Sequence, residues 1–147
     1  MPRSSRFADD RGSASLEFLT VGLLLLVPIV YLVLTMASIQ AAAFAVEGAA
    51  RQAARVFVQA PDLPSAKASA ARALEFALAD HGITEKAKLT ITCKPAACLT
   101  RRAFVTVSVD LRAALPLVPP VLVGDFPLSV PLHATATGQV SRFWGSR

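Results

Sequence analysis

Residues 11–34 read RGSASLEFLTVGLLLLVPIVYLVL, and the architecture of the chain turns on them. From Phe18 to Val46 there is no Asp, Glu, Lys or Arg, and Phe18 to Ile39 is almost wholly apolar. At about 1.5 Å per residue that run spans roughly 33 Å as a helix, enough to cross a bilayer core of about 30 Å. A secretory signal peptide has a shorter apolar region, about 7–15 residues, so the run reads as a membrane helix. The A-x-A-like exit at Ala41-Ala42-Ala43 keeps signal-peptide cleavage as the alternative. Glu17 stands at the mouth of this run, where burying a charge in hydrocarbon costs several kcal/mol. Either it is a flank snorkelling to the interface, or it has a task of its own.

Working outward, residues 1–12, MPRSSRFADDRG, are short and polar and read as a cytoplasmic leader. Arg3, Arg6 and Arg11 precede the span, and the first cations beyond it are Arg51 and Arg55. The positive-inside bias puts the N-terminus in the cytoplasm and the rest of a single-pass protein outside. Residues 13–39 form the transmembrane helix, with Gly22 and Pro28 as points of flexure, since Pro28 removes one backbone hydrogen bond. Residues 40–60, QAAAFAVEGAARQAARVFVQA, continue as an alanine-rich helical stalk. In it Glu47, Arg51 and Arg55 line one face, while Val46, Ala49, Ala50, Ala53, Val56 and Phe57 line the other. The prolines of Ala60-Pro61-Asp62-Leu63-Pro64 end it.

Residues 61–147 read as an extracytoplasmic α+β domain. A second helix is expected from about Ser65 to Asp80, with Ala66, Ala70, Ala73, Leu74, Ala77 and Leu78 inward and Gly82 as its stop. The period then changes to two: Leu89 to Cys93, Ala103 to Arg112 and Leu128 to Thr137 alternate apolar with polar. Three strands with one buried face each predict a small antiparallel sheet covered by the helices. The connection LPLVPPVLVGDFP, residues 115–127, is apolar for a loop and able to pack on the sheet or on a partner.

The formal charge of +5 comes from scattered cations, not from a basic run interleaved with aromatics, which argues against nucleic acid as a partner. Cys93 and Cys98 flank Lys94-Pro95-Ala96-Ala97; in an exported domain such a pair is most simply a disulfide closing the hairpin. A metal site would need His81 and His133 as further ligands, and neither has suitable spacing. No phosphate-cradling glycine loop, HExxH or GxSxG occurs, so neither a cofactor nor a small-molecule substrate is expected. Asp110 and Asp125 have ordinary explanations on a strand face and in a turn, and Ser108 with His133 makes no more than a chance dyad. The chain is expected not to be an enzyme. Phe143 and Trp144 read equally as an interfacial anchor or as edge packing.

What remains is the N-terminal block: a short basic leader ending in Gly12, then Ser13-Ala14-Ser15-Leu16, then Glu17 and the apolar helix. This resembles the class III signal of type IV pilin-like proteins. With the alanine-rich helix, the C-x4-C pair and the late VPLHATATGQVSRFW, the chain resembles the TadE/TadG-type minor pseudopilins of tight-adherence (Flp) pilus systems. The resemblance implies a processing site at Gly12 and Ser13, cut by a prepilin peptidase on the cytoplasmic side, so that the hydrophobic helix survives. It implies that Glu17, fifth in the mature chain, pairs with the new amino group of a neighbouring subunit. It further implies a non-catalytic role in assembling a Flp/Tad-type pilus or its secretion apparatus. The implied partners are other pilins or pseudopilins and the Tad inner-membrane assembly platform. Many pilins begin the mature chain with phenylalanine, whereas Ser13 stands here. The competing expectation is an unprocessed single-span anchor that presents an extracytoplasmic binding domain.

Overall fold

The computed structural model describes residues 13–116 and 129–145, and the element order is α1 (Ser13–Gln59), α2 (Leu63–Ala79), β1 (Lys88–Lys94), β2 (Phe104–Ala114) and β3 (Ser129–Gln139). The architecture is α+β: a long N-terminal apolar helix, a second helix and a three-stranded antiparallel sheet in the order β1-β2-β3. Two compact units divide between Met36 and Ala37.

The first unit is the apolar part of α1. Its large side chains from Leu16 to Leu34 are exposed, and the most apolar 18-residue window has a mean hydropathy of 2.6 with none of it buried within the protein. Among the described residues, this is the one helix long and apolar enough to cross a membrane. Thr20 turns its hydroxyl back to the Leu16 carbonyl at 2.7 Å, so its polar group is satisfied within the helix, as a lipid environment demands. The helix runs unbroken through Pro28 and Gly22.

In the second unit α1 changes its manner of burial. Ala45, Val46, Ala49, Ala50, Ala53, Ala54 and Phe57 are buried, a stripe at spacings of three and four, while Glu47, Arg51 and Arg55 face solvent. Glu47 and Arg51 are paired at 3.0 Å, an exposed i,i+4 contact that contributes only about 0.3–0.5 kcal/mol. The amphipathic continuation read from the sequence is thus a core helix of the unit.

α2 starts at Leu63, two residues before the expected Ser65. The prolines around it do not lengthen the break, because Pro64 falls in the first turn, where a missing N–H leaves no bond unmade. Asp62 caps it, accepting the Ser65 N–H at 2.8 Å and the Ser65 hydroxyl at 3.0 Å. Gly82, at φ +69, closes it: its N–H donates to Ala79 and that of Ile83 to Leu78, the pair of bonds expected of a left-handed glycine stop. Ala66, Ala70, Leu74 and Leu78 are its buried face.

The strands alternate as the period-two pattern requires. Val105, Val107, Val109 and Leu111 of β2 are buried, and their neighbours Phe104, Asp110 and Arg112 are exposed. β1 pairs Lys88 with Asp110 and Lys94 with Phe104; β3 pairs Ala114 with Ser129 and Phe104 with Gln139. Among the described residues, the helices, the inward strand residues and Val140 share a hydrophobic cluster on one face of the sheet. Residues 117–128, most of the apolar connection together with Leu128 and Asp125, lie outside the described residues.

The small side chains of α1 let it come close to the sheet. A Cβ added at Gly138 of β3 would stand 3.1 Å from Val58 Cγ1 and 3.3 Å from the Ala54 carbonyl oxygen, tighter than ordinary contact, so a side chain here would press on α1. Gly48, on the exposed face of the same helix, has nothing within 4 Å. Gly138→Val should therefore destabilise unit 2 by about 1–3 kcal/mol through overpacking. Gly48→Ala should stabilise it by about 0.5–1 kcal/mol through helix propensity. Denaturant unfolding of the detergent-solubilised full chain measures both, and equal effects at the two positions would contradict the close approach.

Candidate functional site

Glu17 lies on the first turns of α1, exposed, one helical turn beyond Ser13. At about 1.5 Å per residue its Cα is some 6 Å along the axis from that of Ser13. Its neighbours Leu16, Phe18 and Leu19 are 67%, 79% and 62% exposed, so a carboxylate stands on an otherwise greasy helix with no cation on its own stretch of chain. Among the described residues Arg51 is paired with Glu47 and His133 is hydrogen-bonded to Asp110, and Glu17 takes part in neither contact. In hydrocarbon such a group needs an external partner or a neutralising proton. Gly12 lies outside the described residues, as does the side chain of Ser13. Gly22 leaves open space on the helix surface, with nothing within 4 Å of where a Cβ would be. Pro28 supplies no N–H for the carbonyl one turn earlier.

Cys93 and Cys98 are joined by a disulfide. It ties the end of β1 to the turn leading to β2, and both half-cystines pack against the hydrophobic cluster. No group of three or more His, Cys, Asp or Glu able to hold a metal occurs among the described residues.

Register sets the cross-strand partners of His133 and Ser108. His133 sits opposite Asp110, and its Nδ1 is 2.7 Å from Asp110 Oδ1 on the exposed sheet face. Ser108 instead pairs with Thr135.

The C-terminal segment settles the reading of Trp144 as edge packing. Its indole N–H donates to the Ala60 carbonyl at 3.1 Å, and the ring packs on the hydrophobic cluster; Phe143 is 64% exposed. Around it, the loop between the helices, the turn between β1 and β2 and residues 139–145 converge. Arg101 Nε donates to the Trp144 carbonyl at 3.3 Å, the Arg102 N–H to Val140 at 3.1 Å, and Gln139 Nε2 to the Arg102 carbonyl at 3.4 Å. Arg102 has φ +63, a conformation that costs a non-glycine residue about 1–2 kcal/mol. The convergence is invisible in the sequence, because its parts are about forty residues apart and scattered cations carry no spacing signal.

Comparison of the chain with protein-family models, curated proteins and solved structures returns no match.

The loop closed by the disulfide is short, so the chain-entropy account gives it about 2 kcal/mol. Cys93→Ser, Cys98→Ser and reduction of the parent protein should each lower unfolding free energy by about that amount. A reduced parent as stable as the oxidised one would show that the bond fixes nothing.

Proposed function

We propose that the protein is a non-catalytic minor pseudopilin of the TadE/TadG type, processed between Gly12 and Ser13 and inserted in the membrane with its N-terminus cytoplasmic. Its role is the assembly of a Flp/Tad-type pilus or its secretion apparatus. Prepilin peptidase, pilin-like subunits and the inner-membrane assembly platform are its partners. The observation that carries this reading is the position of Glu17: an exposed carboxylate one turn from Ser13, flanked by the exposed apolar side chains of Leu16, Phe18 and Leu19. Cleavage creates an α-amino group at Ser13, and a carboxylate at this depth pairs with that group on an adjacent subunit. Such a pair sets register more than it adds stability, because desolvation offsets much of the attraction. The open surface at Gly22 supports close packing of neighbouring helices.

A second reading is favoured by the independence of unit 2, which has its own core from Ala42 to Val140. In that reading the chain is an unprocessed anchor for a binding domain, and any apolar helix in place of residues 18–36 would serve.

Two experiments separate the readings. Intact mass of the protein extracted from host membranes containing a prepilin peptidase should give a chain starting at Ser13, whereas an uncut N-terminus would remove the pseudopilin reading. Glu17→Ala should leave membrane insertion intact but abolish incorporation into the filament or its assembly complex, and replacing residues 18–36 by polyleucine should do the same. Normal incorporation of both variants would favour the simple anchor.

A further inference from the structure

The end of unit 2 formed by residues 59–65, 94–104 and 139–145 carries a marked charge imbalance. Lys94, Arg101, Arg102 and Arg142 are all exposed there, and the one carboxylate in these segments is Asp62. Asp62 is already committed, both oxygens accepting bonds from Ser65 at the start of α2. None of the four cations is in an ion pair among the described residues. At the same end is a surface groove of about 770 Å³, lined by Gln59, Pro61, Ser141, Phe143 and Trp144; none of the four cations lines it, but Arg101 holds the Trp144 carbonyl and Arg142 lies between Ser141 and Phe143 in the chain. Arg142 stacks its guanidinium over the Phe143 ring at 4.7 Å, and Phe104, 50% exposed, stands between Lys94 and Gln139 in the strand register.

Arg102 is the telling residue. Its left-handed backbone is held by its own N–H and carbonyl, and glycine would make both bonds without strain. The arginine side chain is exposed and makes no salt bridge among the described residues. A strained conformation at a residue with an exposed, unbridged guanidinium directs attention to a ligand.

We propose that this end of the domain binds an acidic polysaccharide, a sugar chain bearing carboxylate groups. Guanidinium forks match carboxylates with paired hydrogen bonds, and they remain charged at any physiological pH. The half-exposed Phe104 ring offers a flat apolar face to the C–H surfaces of sugar rings, Phe143 holds the Arg142 guanidinium in place, and Gln59 and Ser141 supply hydrogen bonds for hydroxyls. A nucleic-acid strand fits less well. Its phosphate backbone calls for a longer track of cations than the four grouped here, and its bases for successive stacking platforms. The proposal depends on the pseudopilin reading only for where such a polymer is met; binding itself requires neither cleavage nor a particular membrane orientation.

The test is titration of the detergent-solubilised full chain with oligogalacturonate, with neutral dextran oligomers and oligothymidylate in parallel. Saturable binding of oligogalacturonate that weakens with salt is expected, with no binding of dextran and weaker binding of oligothymidylate. Arg102→Gly should bind about tenfold more weakly, the loss of one charge-assisted contact, while its Tm stays at or above the parent's. Arg142→Gln and Phe143→Ala should weaken binding similarly. Equal affinity for dextran, tighter binding of oligothymidylate, or parental affinity in both Arg102→Gly and Arg142→Gln would overturn the proposal.

Discussion

The contact on which the folded unit depends is the approach of α1 to the sheet along a face made almost entirely of alanine. Ala45, Ala49, Ala50, Ala53 and Ala54 are buried along it, the backbone at Ala54 comes near enough to β3 that a Cβ at Gly138 would be tightly crowded, and Phe57 and Val46 are the large side chains that α1 buries completely. Alanine buries little area per residue, so an interface of this kind draws its stability from closeness and helix propensity more than from bulk. The larger apolar volume comes from the other side, where Val105, Val107, Val109 and Leu111 present a β-branched surface well suited to a flat helix face. α2 adds a second alanine-rich face through Ala66 and Ala70, with Leu74 and Leu78 filling its far end.

This arrangement gives one helix two environments. Up to Met36 its surface is mostly apolar and its large side chains are exposed; from Ala42 onward an apolar stripe is buried in the core of the second unit. The polar groups follow the same division. Thr20 satisfies its hydroxyl within the helix, whereas Glu47 and Arg51 face solvent and pair with each other. Glu17 obeys neither rule, being a carboxylate on the mostly apolar part, and for that reason the proposed assembly role is placed there.

Much of the fold was legible in the sequence because its signals are local. Alternation in Val105 to Leu111 marks a strand, the i,i+4 row of Glu47, Arg51 and Arg55 marks the solvent side of α1, and Gly82 marks the end of α2. The start of α2 was misplaced by two residues, since proline ends a helix when it falls in the interior but is tolerated in the first turn, and sequence alone does not separate the two for Pro64. The disulfide was legible from spacing and the expected compartment. Cross-strand pairs such as His133 with Asp110 were not, because a shift of register by one residue changes every partner. The same holds for the basic and aromatic end of the domain. Ala60, Arg101 and Trp144 meet only through long-range packing, and Arg102 reveals its strain only as a backbone angle.

The central claim is that α1 is at once the apolar segment and the strut of the folded unit. Hydrogen–deuterium exchange along α1, measured on the full chain in lipid nanodiscs across a denaturant series, tests it most directly. The account predicts slow exchange over both parts of the helix, with residues 42–57 losing protection together with β2 when unit 2 unfolds and residues 18–36 remaining protected by lipid. Rapid exchange of residues 42–57 while β2 is still protected would contradict it, because a helix merely tethering the domain would open without the sheet.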